Sequence, residues 1–159
     1  NFNCKINIIE DGDSILDTGG GILNLIKKTD NENFFVFNPD TLWSKEYIEI
    51  IRKMENFYFE NKIQNILLVV KKSNSFDKKL EGDFNLDERN ILNYKEKSFI
   101  YTGCQIINKN IFSKVNKKSF SVVEIWKQLI NENKLYGFES LNDFIHITDI
   151  EIFNKLSKN

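Results

Sequence analysis

Several short stretches of the sequence carry residue types that could do chemistry. The first is Leu16-Asp17-Thr18-Gly19-Gly20-Gly21. Three successive glycines let a backbone come close to a ligand, and a helix starting there offers unpaired N–H groups. A flexible turn accounts for the same residues. No Gly-Lys-Ser/Thr follows, so this is not a Walker loop. The second stretch is Phe34-Phe35-Val36-Phe37-Asn38-Pro39-Asp40. An Asp just beyond a buried strand lies where α/β sheets bind ligands. Its carboxylate suits Mg²⁺, a hard cation that takes oxygen ligands and bridges phosphates; a turn or helix-capping Asp has the same pattern. Glu81-Gly82-Asp83-Phe84 and Phe99-Ile100-Tyr101-Thr102-Gly103 each set a polar side chain beside a bare backbone. That combination can hydrogen-bond sugar hydroxyls, although edge bulges share it. His146 is the only histidine and lies in Phe144-Ile145-His146-Ile147-Thr148-Asp149. It is either a core histidine among apolar neighbours or a site residue. Cys4 and Cys104 lack metal-ligand spacing and read as buried small hydrophobes.

The elements that must position these residues follow from hydrophobic period and turn chemistry. Ile6 to Ile9 reads as a short strand. The glycine triplet opens a helix through Lys28, with Ile22, Leu25 and Ile26 at helical spacing. Phe34 to Phe37 and Ile66 to Val70 are continuous apolar runs of buried-strand length, the first stopped by Pro39. Ser44 caps a long helix carrying Tyr47, Ile50, Ile51, Met54, Phe57 and Tyr58. Phe84 to Leu86 and Ile91 to Tyr94 flank a polar turn, as in a hairpin. Phe99 to Ile107 is a long strand, and Gly103 inside it implies a bulge or a close ligand. Asn108 to Phe112 is a short helix or turn. Ser121 caps a further helix, with Glu124 placed for a capping box. Leu135 to Glu139 and Asp143 to Ile147 are strands, and Asp149 starts a last helix. Strands alternating with helices give an α/β sandwich, partly antiparallel around residues 82–107.

Composition bounds the function. The 159 residues make one domain, with no repeat or linker dividing them. Lys plus Arg number 22 against 23 Asp plus Glu, for a net charge of −1. That argues against a nucleic-acid or membrane-surface partner. Apolar residues at 41% and aromatics at 13% suffice for a core. No run approaches the roughly 18 apolar residues of a membrane span, and no signal peptide opens the chain. The expected location is cytoplasmic. Two cysteines exclude a disulfide-dense scaffold. The absence of Ala and the abundance of Asn, Ile and Lys read as AT-rich codon bias.

The order of the motifs resembles the sugar-1-phosphate nucleotidylyltransferase family, closest to its bacterial N-acetylmuramate-1-phosphate uridylyltransferase-like members. The resemblance runs from Ile6 to Leu156 and rests on Leu-Asp-Thr-Gly-Gly-Gly-Ile, Phe-Phe-Val-Phe-Asn-Pro-Asp-Thr-Leu-Trp, Gly-Asp-Phe, Phe-Ile-Tyr-Thr-Gly-Cys-Gln-Ile-Ile and Phe-Ile-His-Ile-Thr-Asp. It implies a Rossmann-like α/β/α sandwich with a mixed sheet, of the nucleotide-diphospho-sugar transferase type. It also implies a Mg²⁺-dependent reaction of a nucleoside triphosphate, expected to be UTP, with a sugar 1-phosphate. By resemblance, Thr18, Gly19 and Gly20 line the nucleotide. Asp40 is the catalytic Asp that holds Mg²⁺. Gly82, Asp83, Glu96, Thr102 and Gly103 contact the sugar. His146 stands where many members carry a second metal-binding Asp, so its role as a metal ligand is in question. The family's opening strand and its Gly-rich, Arg-containing triphosphate loop are missing. The chain is therefore expected to be a fragment, the C-terminal two-thirds of one nucleotidyltransferase domain and inactive alone, with an exposed apolar sheet edge. The competing reading is a non-catalytic nucleotide-sugar-binding module.

Overall fold

The computed structural model describes residues 4–157. In chain order its elements are α1 (Asp17–Ile26), β1 (Asn33–Phe37), β2 (Thr41–Leu42), α2 (Tyr47–Glu60), β3 (Asn65–Lys71), β4 (Asn85–Leu86), β5 (Leu92–Asn93), β6 (Phe99–Asn108), α3 (Val122–Asn131), β7 (Tyr136–Ser140), β8 (Ile145–His146) and α4 (Ile150–Leu156). β1, β6, β3 and β7 form the main sheet in that order. β6 is antiparallel to both neighbours, and β3 pairs parallel with β7. The sheet is thus mixed, as the motif order implies.

β3 shows why the sheet must be covered twice. Ile66 and Leu68 face one side, Leu67 and Val69 the other, and all four are fully buried. On one side Leu67, Val69 and Ile107 pack with Ile22, Leu23 and Ile26 of α1 and with Ile125, Trp126 and Leu129 of α3. On the other, Ile66, Leu68 and Ile106 pack with Tyr47, Met54 and Tyr58 of α2. Met54 has no exposed surface; truncating such a side chain to Ala costs about 2–5 kcal/mol. Two small ribbons, β2 with β8 and β4 with β5, flank the sheet.

Several local expectations are corrected. Ile6 to Ile9 is not a strand: Ile6 and Ile8 are 71% and 89% exposed, and the segment finds no strand to pair with. Ser44 does not cap α2, which starts at Tyr47; the Ser44 carbonyl instead accepts the Tyr47 amide in a preceding turn. Ser121 does cap α3, its Oγ accepting the Val123 amide. Glu124 turns to Lys117 at 2.7 Å and leaves the capping box half made. The Asp143–Ile147 strand shrinks to Ile145–His146 because its partner β2 is only two residues long. Cys104 is buried, but Cys4 is exposed.

β1 is an edge. Glu32 and Asn38 bond to β6 through Lys109 and Gly103, so the even-numbered residues face β6. The N–H and C=O groups of Phe35 and Phe37 therefore point outward. Their side chains, 39% and 47% exposed, stack on each other at 5.9 Å.

The glycine triplet divides into two roles. Gly19 and Gly20 are buried in the first turn of α1. A Cβ on Gly19 would overlap the Phe120 ring, and one on Gly20 the Lys118 carbonyl. Both amides donate to the Phe120 carbonyl, at 2.9 and 3.1 Å. A Cβ on Gly21 would meet only Asp11 Oδ2, at 3.9 Å. Gly20→Ala should therefore destabilise the fold by about 1–3 kcal/mol, the scale of overpacking. Gly21→Ala should stabilise it by about 0.5–1 kcal/mol, the helical cost of glycine. Urea midpoints of the two variants check this; equal shifts would refute the division.

Candidate functional site

The site forms where two segments share one edge of β6. β1 occupies that edge as far as Gly103, whose carbonyl accepts the Asn38 amide at 2.8 Å. The Asp83–Phe84 segment takes the other end. Its two amides donate to the Phe99 carbonyl, and Asp83 Oδ2 accepts the Tyr101 amide at 2.9 Å. Between them β6 bulges, so that Leu67 pairs with Gln105 but Val69 with Tyr101. Gly103 lies in the bulge at φ +88°, a region that favours glycine. A Cβ there would lie 2.8 Å from Asn38 Cβ and 3.1 Å from Thr41 Oγ1. The glycine thus serves the bulge and the close packing of the 38–41 turn.

That turn places Asp40. The Thr41 hydroxyl donates to the Thr102 carbonyl at 2.8 Å, and Thr102 Oγ1 donates to Leu68 O at 3.0 Å. β2 pairs Thr41 with His146, and the Asp40 carbonyl accepts the Ile147 amide at 2.9 Å. His146 Nδ1 consequently lies 3.6 Å from Asp40 Oδ1, with the Asp40 side chain 47% exposed and the imidazole 23%. The imidazole stacks on buried Phe144 at 5.8 Å and 13°. His146 is therefore a half-buried neighbour of Asp40 and not a core residue.

Asp83 closes the other end. Burial of its carboxyl lifts it above the usual carboxylate range, against the opposing pull of the Tyr101 amide, Lys97 and His146. Beside it is a cleft of about 270 Å³ lined by Phe84, Tyr94, Lys97, Tyr101 and Trp126. Such an aromatic wall beside a carboxylate offers an apolar face and an acceptor, as sugar sites need. A larger cleft, about 1020 Å³, lies between residues 7–10 and the α1–β1 side and includes none of these residues.

The structure thus brings Asp40, Asp83, Thr102, Gly103 and His146 together along β6. Gly82 is buried, and a Cβ there would overlap the Lys97 carbonyl, so close packing accounts for a glycine at this position. Glu96 is exposed on the segment before β6. The polar groups of Thr18, Gly19 and Gly20 are committed inside the fold: the Thr18 hydroxyl accepts the Val122 amide at 3.0 Å, and the two glycine amides hold Phe120. The expectation of unpaired helix-start amides there is corrected for those two glycines. Sequence reasoning missed Thr41, which looks like an ordinary turn residue until β2 and β8 are seen to pair. It also missed the Tyr94–Trp126 wall, whose members are scattered along the chain. Burial pushes the Cys104 thiol up to about 12, so it is no nucleophile near neutral pH.

A metal fits in one way. Among the described residues no group of three or more His, Cys, Asp or Glu side chains could cage an ion. Mg²⁺ needs no cage, since one carboxylate with substrate phosphates and water holds it; the half-exposed Asp40 carboxylate meets that requirement.

No protein-family model matches the chain. Among curated proteins it is 30% identical over 151 residues to D-glycero-alpha-D-manno-heptose 1-phosphate guanylyltransferase of Aneurinibacillus thermoaerophilus, covering 90% of this chain and 62% of that protein. It is 21% identical over 149 residues to N-acetylmuramate alpha-1-phosphate uridylyltransferase of Caulobacter vibrioides, covering 91% and 62%. The chain therefore spans about three fifths of the length of these relatives. Among solved structures, HddC from Yersinia pseudotuberculosis complexed with GMP-PN superposes with a TM-score of 0.65 at 22% identity, over 95% of this chain and 64% of that one. UDP-glucose pyrophosphorylase complexed with UDP-glucose gives 0.67 at 15% identity, over 91% and 62%. The chain is thus similar in sequence to sugar-1-phosphate nucleotidylyltransferases and has the fold of nucleotide-diphospho-sugar transferases. Among the described residues no helix is long and apolar enough to cross a membrane.

The raised Asp83 carboxyl carries a prediction. Between the ordinary carboxylate value and the raised one, the folded state binds more protons than the unfolded state, so stability falls as pH rises through that window. Asp83→Asn keeps an acceptor for the Tyr101 amide and removes the charge. Its urea midpoint should exceed the wild type's at pH 7, and the difference should shrink in acid. A lower midpoint at pH 7 would contradict the desolvated carboxyl.

Proposed function

We propose that this protein is a sugar-1-phosphate nucleotidylyltransferase. It joins a nucleoside triphosphate, UTP in our reading, to a sugar 1-phosphate. A phosphate oxygen of the sugar 1-phosphate attacks the α-phosphorus. The bond from that phosphorus to the bridging oxygen breaks, and pyrophosphate leaves with the electron pair. The observation that carries this reading is the meeting of Asp40, Asp83 and His146 on one edge of β6, in a chain similar to two sugar-phosphate nucleotidylyltransferases. These relatives use different bases, guanylyl and uridylyl, so UTP rests on the motif resemblance.

Asp40 would hold a Mg²⁺ ion, which when bound neutralises phosphate charge. Asp83 would seat the sugar against the aromatic wall, with Thr102 and Gly103 in the bulged strand beneath it and Glu96 and Gly82 on the flanking segments. Thr18, exposed at the start of α1, would line the nucleotide, with buried Gly19 and Gly20 holding that helix start in place. Catalysis in this scheme is mostly positioning and electrostatics, as in phosphoryl transfer generally. We further propose that residues 1–159 are one nucleotidyltransferase domain, located in the cytoplasm. These residues span 62% of the length of the curated relatives.

Pyrophosphate release from the protein together with its natural flanking sequence tests the reading. UTP, GTP, CTP and dTTP are each paired with a panel of sugar 1-phosphates, with and without Mg²⁺. Asp40→Asn should lower turnover by about 10²-fold or more, the scale of losing one electrostatic stabiliser, with an unchanged urea midpoint. Near-normal turnover would remove Asp40 from the chemistry. Binding of nucleotide-sugar without pyrophosphate release from any pair would favour the binding module.

A further inference from the structure

We propose that Thr41 is a positioning residue that fixes the His146 imidazole with its proton on Nδ1, leaving Nε2 as the nitrogen offered to a ligand. The argument is an accounting of protons. Thr41 is 5% exposed, and its hydroxyl has a single proton. That proton goes to the Thr102 carbonyl, 2.8 Å away. The hydroxyl oxygen can then only accept. His146 Nδ1 lies 3.4 Å from it, held there by the direct Thr41–His146 pairing of β2 with β8. The other group facing Nδ1 is Asp40 Oδ1 at 3.6 Å, and an ionised carboxylate also only accepts. A bare lone pair on Nδ1 would face two acceptors; an N–H there finds a hydrogen-bond partner in the Thr41 oxygen, with the Asp40 carboxylate just beyond bonding distance. Asp83 is a further charged group in range of the imidazole, and the Phe144 ring stacks under it.

The consequence reaches both sides of the ring. On one side Nδ1–H turns its positive end toward the Asp40 carboxylate, 3.6 Å away. On the other, Nε2 is an acceptor suited to a hydroxyl of a sugar or ribose. This second role rests on the nucleotidylyltransferase reading; the tautomer does not.

Because the chain has one histidine, a two-bond ¹H–¹⁵N spectrum of the labelled protein shows only its imidazole. At alkaline pH, where imidazoles are neutral, Nδ1 should show the shift of a protonated nitrogen and Nε2 that of a bare one. Thr41→Ser should keep this pattern. Thr41→Val should move both nitrogens toward averaged shifts, and Thr41→Ala carries the same expectation should the valine variant not fold. A wild-type proton on Nε2, or a valine or alanine spectrum like the wild type's, overturns the proposal. Failure of the enzyme reading would leave these spectra unchanged, so the two failures are distinguishable.

Discussion

The bulge in β6 is the constraint on which the site depends. A regular strand would continue its ladder past β1 and leave no gap. Instead Gly103 turns to positive φ, Thr102 ties its hydroxyl to β3, and the carbonyls of Thr102 and Gly103 turn toward the 38–41 turn. Asn38 and Thr41 answer those carbonyls, and Asp40 is carried between them. The position of the carboxylate is thus set by the bonds that its neighbours, the Asn38 amide and the Thr41 hydroxyl, make to the sheet and not by its own side-chain contacts. Pro39 adds to this by fixing its own φ and ending the strand. The turn is held from two directions, because β8 also bonds to it.

This arrangement separates structural from chemical work. Thr41, Thr102 and Gly103 are used up in holding the turn, which leaves Asp40 and His146 partly open beside it. The same division runs through α1. Gly19 and Gly20 permit close approach, but the neighbour they admit is the 118–120 segment of the protein itself. Their amides, which a ligand could have used, close the α1–α3 side of the core. A glycine-rich motif can thus be accounted for by sterics and hydrogen bonding inside the fold.

Much of the fold was legible because burial on both faces writes an unbroken apolar run, as in Ile66 to Val70, and because α2 repeats its large residues at helical spacing. The β4–β5 ribbon and the β6 bulge were legible from a polar turn and a lone glycine. The Asp40 position could be read from a strand followed by Pro. Other features depend on pairing that no local pattern encodes. Ile6 to Ile9 has strand composition but no partner, and Asp143 to Ile147 is cut short by the length of β2. Ser44 is a good cap by type, yet α2 starts three residues later. The meeting of His146 with Asp40 and the role of Thr41 arise from one two-residue ladder. Resemblance to a family located the first two of these residues; only the coordinates could show what Thr41 bonds to.

The sheet order also governs how the chain can assemble in time. Both β1 and β3 pair with β6, which follows them by long stretches of sequence. During synthesis the Phe34–Phe37 and Ile66–Val70 runs therefore emerge well before the strand that joins them. Contacts so distant in sequence slow folding, and unpaired apolar strands are open to wrong partners meanwhile. β6 acts as the delayed keystone: once it docks, one strand completes two ladders, and the bulge that shapes the site forms in the same event. Production of this protein should accordingly respond more to chaperone supply and growth temperature than its finished stability would suggest.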